Sequence, residues 1–161
     1  WNGVTLGALA VVNPLGSVVI PGTRTFWAWP FELEGEFGDQ TPPDAPPADL
    51  DHDFAGPAGA NTTCAVIATD AQLTRAQAKR VALMAHDGFA RAIRPVHSPL
   101  DGDTVFVLAT GAIPLTDSRA DPVGALARLG MLAADCTARA ITRGVYEAAA
   151  LAGCPAYRGL P

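Results

Sequence analysis

Residues 63–95 read TCAVIATDAQLTRAQAKRVALMAHDGFARAIRP, and this stretch decides the fold class. Its first part, residues 63–69 (TCAVIAT), is short, apolar and β-branched, which is the composition of a buried strand. Thr74-Arg75-Ala76-Gln77 then fits a capping box, in which the Thr hydroxyl and the Gln side chain satisfy N–H groups left over at a helix start. A helix is expected from Arg75 to about Arg94. Ala78, Val81, Ala82, Ala85, Phe89, Ala92 and Ile93 recur at helical spacing along one face. Pro95 ends it, because the residue before a proline is pushed out of helical conformation. A strand followed directly by an amphipathic helix is a layered unit, with the helix covering a sheet.

The flanking segments extend this reading. Upstream, residues 4–12 (VTLGALAVV) form an apolar β-prone run, apolar on both faces and so expected to be covered on both sides. Asn13-Pro14-Leu15-Gly16 turns the chain, and Ser17-Val18-Val19-Ile20 reads as a short second strand. Residues 25–37 (TFWAWPFELEGEF) are aromatic and irregular. From Gly38 to Ala60 the chain is dominated by Gly, Pro, Asp and Ala without hydrophobic period, a length and composition expected of a mobile surface segment. Downstream of the helix, residues 105–109 form a further strand closed by Gly111. Asp121-Pro122 is a helix start, with a capping Asp and Pro at the first helical position. Leu126, Leu129, Ala133, Cys136, Ala140, Val145 and Ala148 continue one face, and the density of Ala and Gly lets this helix lie close to a neighbour. Gly153 and Pro155 stop it. The order is an α+β or α/β sandwich with helices on a sheet, without internal repeats.

Composition narrows the function classes. The 161 residues fit one compact domain with a real core. Apolar residues make up 49% of the chain and charged residues only 17%, with a mean hydropathy of +0.20, so the chain is expected to be extensively buried or to carry large interfaces. Net charge is −5 and the basic residues are scattered, which speaks against a nucleic-acid groove. No apolar run reaches the ~20 residues that span a bilayer, and no basic segment followed by an apolar one opens the chain. Three widely spaced cysteines, Cys64, Cys136 and Cys154, do not make a disulfide framework; they fit reduced, mostly buried thiols in a cytoplasmic protein. Asn61-Thr62-Thr63 matches the N-glycosylation acceptor pattern, a pattern common by chance and at odds with those cysteines. The chain opens at Trp1 directly into a strand-like run and reads as a piece of a longer protein.

Chemistry is concentrated where the Pro-rich segment meets the strand, at Asn61-Thr62. If the bond before Thr62 is cut, Thr62 becomes a terminus whose hydroxyl and α-amine are neighbours. An α-amine, with an ordinary pKa of about 7.7–8.0, takes a hydroxyl proton near neutral pH, which is the Thr–amine form of nucleophile activation. The competing reading is a Thr that opens a strand, and by itself the pattern favours it. Asp101-Gly102-Asp103 places two carboxylates two residues apart where a strand begins, so both face one way; the pair can hold an ammonium or orient a hydroxyl, or be a solvated turn. Asn13 ends a strand, where its amide can donate to an oxyanion or simply form the turn before Pro14. His52, His86 and His97 invite a metal or serine-triad reading. No zinc pattern accompanies them. His97-Ser98 and Asp101 share one loop, and neighbours along a chain rarely converge on one substrate atom.

Taken together, residues 61–70 (NTTCAVIATD), 82–97 (ALMAHDGFARAIRPVH) and 101–111 (DGDTVFVLATG) resemble the L-aminopeptidase/D-amino-acid esterase-amidase family. The opening VTLGALAVVN, the FWAWPFELEGEFG stretch and the ending CPAYRGL fit as well. That family includes β-peptidyl aminopeptidases and the nylon-oligomer (aminohexanoate-oligomer) hydrolases. The resemblance implies a precursor that cuts itself in two, residues 1–61 closing the first chain and 62–161 forming the second, with Thr62 the new N-terminal nucleophile. The Asn61–Thr62 junction and the Asp101/Asp103 pair look more like the nylon-oligomer branch, since the aminopeptidase branch has Ser and Glu at the Asp101 and Asp103 positions. Asn13 matches the family's strand-end Asn at the oxyanion. The implied fold is a four-layer αββα sandwich similar to ornithine acetyltransferase, in oligomers of the two-chain unit. A further catalytic Lys or Tyr is implied on an N-terminal portion outside this chain. The expected activity is hydrolysis of amide bonds in small peptides or linear oligoamides, without cofactor or metal. Acyl transfer, an aminopeptidase or D-amino-acid esterase-amidase activity, and a non-catalytic subunit are the alternatives.

Overall fold

The computed structural model describes residues 1–45, 47, 50, 51, 61–116 and 122–160. Three strands, β1 (Leu6–Val11), β2 (Cys64–Ala71) and β3 (Thr104–Ile113), form one sheet in the order β1-β2-β3. β1 runs antiparallel to β2, with Leu9 opposite Val66. β2 runs parallel to β3, with Val66 opposite Phe106. Helix α1 (Arg75–Ala92) is the crossover between the parallel strands, and α2 (Pro122–Tyr146) follows β3. Both helices pack on the same face of the sheet, giving two layers.

Local chemistry accounts for these elements. In β2, Ala65, Ile67, Thr69 and Ala71 are buried at every second position and face the helices. In α1 both halves of the Thr74/Gln77 capping box are made, worth roughly 1 kcal/mol. Val81, Ala85, Phe89 and Ala92 are fully buried along its inner stripe. The helix stops at Ala92, and Ile93 is already extended two residues before Pro95. The helices cross where Gly88 meets the Ala134–Ala138 turn of α2; a Cβ at Gly88 would lie 2.3 Å from the Ala134 carbonyl oxygen. At the other end, Phe26, Phe37 and Tyr157 join Phe89 and Ile141 in one core cluster. Phe26 and Tyr157 lie with ring centroids 4.3 Å apart.

Several expectations are corrected. Ser17–Ile20 is not a strand: Ser17 and Val19 make only isolated bridges, to Arg94 and Phe26, because Ser17 Oγ bonds locally to the Val19 backbone. β1 is covered on one side only, with Leu9 and Val11 about 70% and 69% exposed. β3 runs through Gly111, at φ 74°, to Ile113, because the irregular pairing near Ala71 lets the ladder resume. α2 ends at Tyr146, well before Gly153. Cys154 is exposed rather than buried. The irregular 25–37 stretch contains one short 3-10 turn, Trp29–Phe31. The expected Asp121 cap lies outside the described residues, as do His52 and residues 46, 48, 49 and 52–60 of the expected mobile segment.

Candidate active site

The sheet register assembles the site. Beyond Cys64 the parallel ladder continues backwards, with Asn61 bridged to Asp101, Gly102 N–H donating to the Asn61 carbonyl at 3.0 Å and Thr104 N–H to the Thr63 carbonyl at 3.1 Å. On the other side Thr62 N–H donates to the Asn13 carbonyl at 2.8 Å. The register of β1 with β2, carried two residues further, therefore sets Asn13 against Thr62, and that of β2 with β3 sets Gly102 against Thr62. Thr62 is the middle residue of three strand ends.

The Thr62 hydroxyl is 2.6 Å from the carbonyl oxygen of Asn61, the residue whose peptide bond precedes it. Gly102 supplies the room: a Cβ there would sit 2.6 Å from Thr62 Oγ1. Strand alternation puts Thr62 on the sheet face opposite the helices, in line with Val66 and Ala68. Thr63 points the other way and is fully buried. Its hydroxyl has no hydrogen-bond partner among the described residues, so its contribution to the site is its backbone.

The two aspartates, which precede β3, have different partners and do different things. Asp101 Oδ1 accepts from Leu15 N–H at 3.1 Å, and Oδ2 accepts from the Ser98 hydroxyl at 2.7 Å and Ser98 N–H at 3.0 Å. Burial pushes the Asp101 carboxyl up, but these donors and the His97 ring outweigh it and hold it below its ordinary value. Asp101 thereby ties the turn after Asn13 to the loop before β3. Asp103 has a side chain only 4% exposed. Its Oδ1 accepts from Thr63 N–H at 2.9 Å, in the place of a ladder carbonyl, and its Oδ2 lies 2.8 Å from His97 Nδ1. Asp103 thus grips the amide that follows Thr62, Asp101 holds the turn after Asn13, and the Thr62 hydroxyl bonds to the Asn61 carbonyl. Asn13 is brought to Thr62 through its carbonyl.

Sequence reasoning set His97 and His86 aside. His97 Nε2 lies 3.3 Å from His86 Nδ1, so a residue of the loop and one of α1 converge on Asp103. Their sequence separation carries no signal of this; only the packing of α1 beside the 95–103 loop creates it. Gly102 was likewise passed over, since a glycine between two aspartates reads equally as a turn. Among the described residues, no group of three or more His, Cys, Asp or Glu could hold a metal ion.

Comparison with known proteins follows this geometry. The model of peptidase family S58 matches residues 1–157. An aminopeptidase of Mycobacterium tuberculosis (strain ATCC 25618 / H37Rv), named as uncharacterised, is 46% identical over 99% of this chain and 48% of its own length. A 6-aminohexanoate-oligomer endohydrolase of Paenarthrobacter ureafaciens is 31% identical over 53% of this chain and 21% of its own length. A solved β-aminopeptidase of Burkholderia sp. is 24% identical over 56% of this chain and 28% of that one, with a TM-score of 0.44. The chain spans about half the length of the mycobacterial relatives it matches.

Proposed function

The chain belongs to peptidase family S58, and from that premise we propose that it carries the nucleophile of a self-cleaving amide hydrolase acting on small peptides or linear oligoamides. The observation that carries this reading is Thr62 itself, its hydroxyl against the Asn61 carbonyl and its nitrogen anchored on Asn13. In self-cleavage Thr62 Oγ bonds to the Asn61 carbonyl carbon. The Asn61–Thr62 C–N bond breaks, and the nitrogen leaves as an amine with the hydroxyl's proton. Water then opens the resulting ester, leaving an Asn61 carboxylate and restoring the Thr62 hydroxyl. In turnover the freed amine, still facing the Asn13 carbonyl, takes the hydroxyl proton, the oxygen acylates on the substrate carbonyl, and the substrate amine departs with that proton. Water completes the cycle. Asp101 and Asp103 hold the strands that fix Thr62, and the Asn13 side chain is assigned to the oxyanion.

Thr62 opens onto a bare apolar sheet face carrying Leu9, Val11, Phe106 and Leu108, all more than half exposed. Contiguous apolar surface of this kind marks an interface. A second sheet and helix layer on it completes a four-layer αββα sandwich, with substrate walls and the further catalytic Lys or Tyr contributed from outside this chain. The relatives' greater length supports that arrangement.

Intact mass of the full-length precursor, beside a Thr62→Ala variant, tests the assignment. Two fragments split at Asn61–Thr62 in the wild type and one whole chain in the variant are expected; a wild type that stays whole after long incubation overturns it. A Thr62→Ala protein that assembles and keeps activity makes this a non-catalytic subunit. A second reading, an exo-acting aminopeptidase, is favoured by the match along nearly the whole chain to proteins named aminopeptidases. Release of single N-terminal residues from short peptides, against internal cuts in a 6-aminohexanoate oligomer, separates the two. An added amine acceptor that yields acyl-transfer product identifies a transferase.

A further inference from the structure

Asp103 joins the nucleophile strand to the histidines, and its burial makes the join consequential. A nearly buried carboxylate is retained only with its oxygens hydrogen-bonded. One oxygen has the Thr63 N–H and the other has His97 Nδ1. A carboxylate only accepts, so Nδ1 of His97 carries the hydrogen of that contact, and in the singly protonated tautomer this leaves Nε2 as an acceptor. His86 Nδ1, 3.3 Å away, is the donor that meets it. The two ring hydrogen bonds then point one way, from His86 through His97 into Asp103, where the Thr63 N–H meets the other oxygen, and they polarise one another. The rings are clamped: His86 stacks on the fully buried Phe89 at 5.3 Å, and His97 leans on both, with centroids 4.8 Å from His86 and 5.5 Å from Phe89. His97 also holds a φ of 55°, a left-handed conformation uncommon for residues other than Gly and Asn and kept where the surroundings impose it.

We infer that His97, backed by His86 and Phe89, is a positioning residue for the Thr62 site, holding Asp103 in the rotamer that takes the Thr63 N–H and so fixing the strand directly behind the nucleophile. The inference rests on the assignment of Thr62 as nucleophile. Burial, with the neighbouring His97, lowers the His86 pKa from its ordinary value.

The test uses the full-length precursor with three substitutions at one position. His97→Asn restores an N–H near Nδ1 and accepts the left-handed backbone. His97→Gly accepts the backbone but offers no donor, and His97→Ala does neither. Self-cleavage followed by intact mass is expected to slow by roughly tenfold or more in the Gly and Ala variants, the scale of one hydrogen bond to a charged group, and to recover in the Asn variant. A Gly variant that cleaves at the wild-type rate, or an Asn variant as slow as Gly, overturns the inference. Nitrogen NMR of the His97 ring in a Thr62→Ala background supplies a readout that does not need cleavage. A hydrogen on Nδ1 supports the positioning of Asp103, and one on Nε2 alone refutes it. If the wild type never cleaves, the Thr62 assignment falls, and the ring tautomer alone then decides whether His97 holds Asp103.

Discussion

Thr62 is placed by contacts that involve almost none of its own side chain: the Asn13 carbonyl on its nitrogen, Gly102 beneath its hydroxyl, and Asp103 on the next amide. Gly102 is therefore the residue at which the site is most cheaply disturbed. Its φ is not in the left-handed region, so Ala is tolerated by the backbone, but the added Cβ reaches 2.6 Å from Thr62 Oγ1. Gly102→Ala is expected to rotate the Thr62 side chain and slow self-cleavage at least about tenfold, the cost of 1.4 kcal/mol at the barrier, with melting temperature little changed. Intact-mass kinetics beside a thermal melt check this. The place of Thr62 at the entrance of β2 was legible in the sequence because a Pro-rich stretch runs straight into a strand there. Gly102 was not, since a glycine between two aspartates reads equally as a turn.

At the scale of elements, the helix pair depends on glycine in the middle of a helix. Gly costs about 1 kcal/mol against Ala in an exposed helix, so Gly88→Ala ought to stabilise α1 taken alone. Here the Cβ would meet Ala134 O at 2.3 Å and Thr137 Cβ at 2.7 Å, and the first of these is backbone that cannot swing aside. The clash wins, because α1 and α2 must part to relieve it. Gly88→Ala is expected to lower stability by about 1–3 kcal/mol, the usual range for overpacking, measured by denaturant unfolding; a gain in stability would refute the close crossing. The period of α1 and its capping box were readable residue by residue. The end of α2 was not, since apolar spacing ran on to Ala148 while the chain left the helix at Tyr146. Periodicity reports which face is apolar, not where the element ends.

For the whole molecule, acid should act in two stages. His86, facing His97, Asp103 and Asp87, has a pKa lowered from 6.5 chiefly by burial. The unfolded chain then binds the proton more readily, so stability is full above 6.5 and declines as pH falls toward the lowered value. Glu36 is gripped by Arg139 through two hydrogen bonds, with Arg143 nearby. Burial pushes Glu36 up, but Arg139, the Leu33 backbone and Arg143 outweigh it, and its pKa falls below 4.5. Its contribution, like that of Asp101, is present above the ordinary carboxylate range and lost as pH drops through the lowered values. Chemical denaturation from pH 8 to pH 3 is expected to show a first loss below about 6.5, absent in His86→Phe, and a second below about 4.5, reduced in Glu36→Gln. A single loss confined to the carboxylate range refutes the His86 part.

The strands β1, β2 and β3 and the helices α1 and α2 in their order, the capping box of α1 and the placing of Thr62 at a strand entrance were determined by the sequence itself, whereas the strand expected at Ser17–Ile20 did not form. Each rests on a pattern within one segment, where the strand and helix periods differ and the turn residues mark the ends. Which residues meet across the sheet was decided only by the tertiary structure. A strand's period assigns a side chain to a face but not to an opposite number, and a shift of one residue exchanges the faces. Pairing β2 with β1 and β3 in one register brings Asn13 and Gly102 to Thr62. Packing α1 beside the loop before β3 then sets His86 and His97 behind Asp103. Those meetings join residues far apart in the chain, and no local pattern encodes a distance through space.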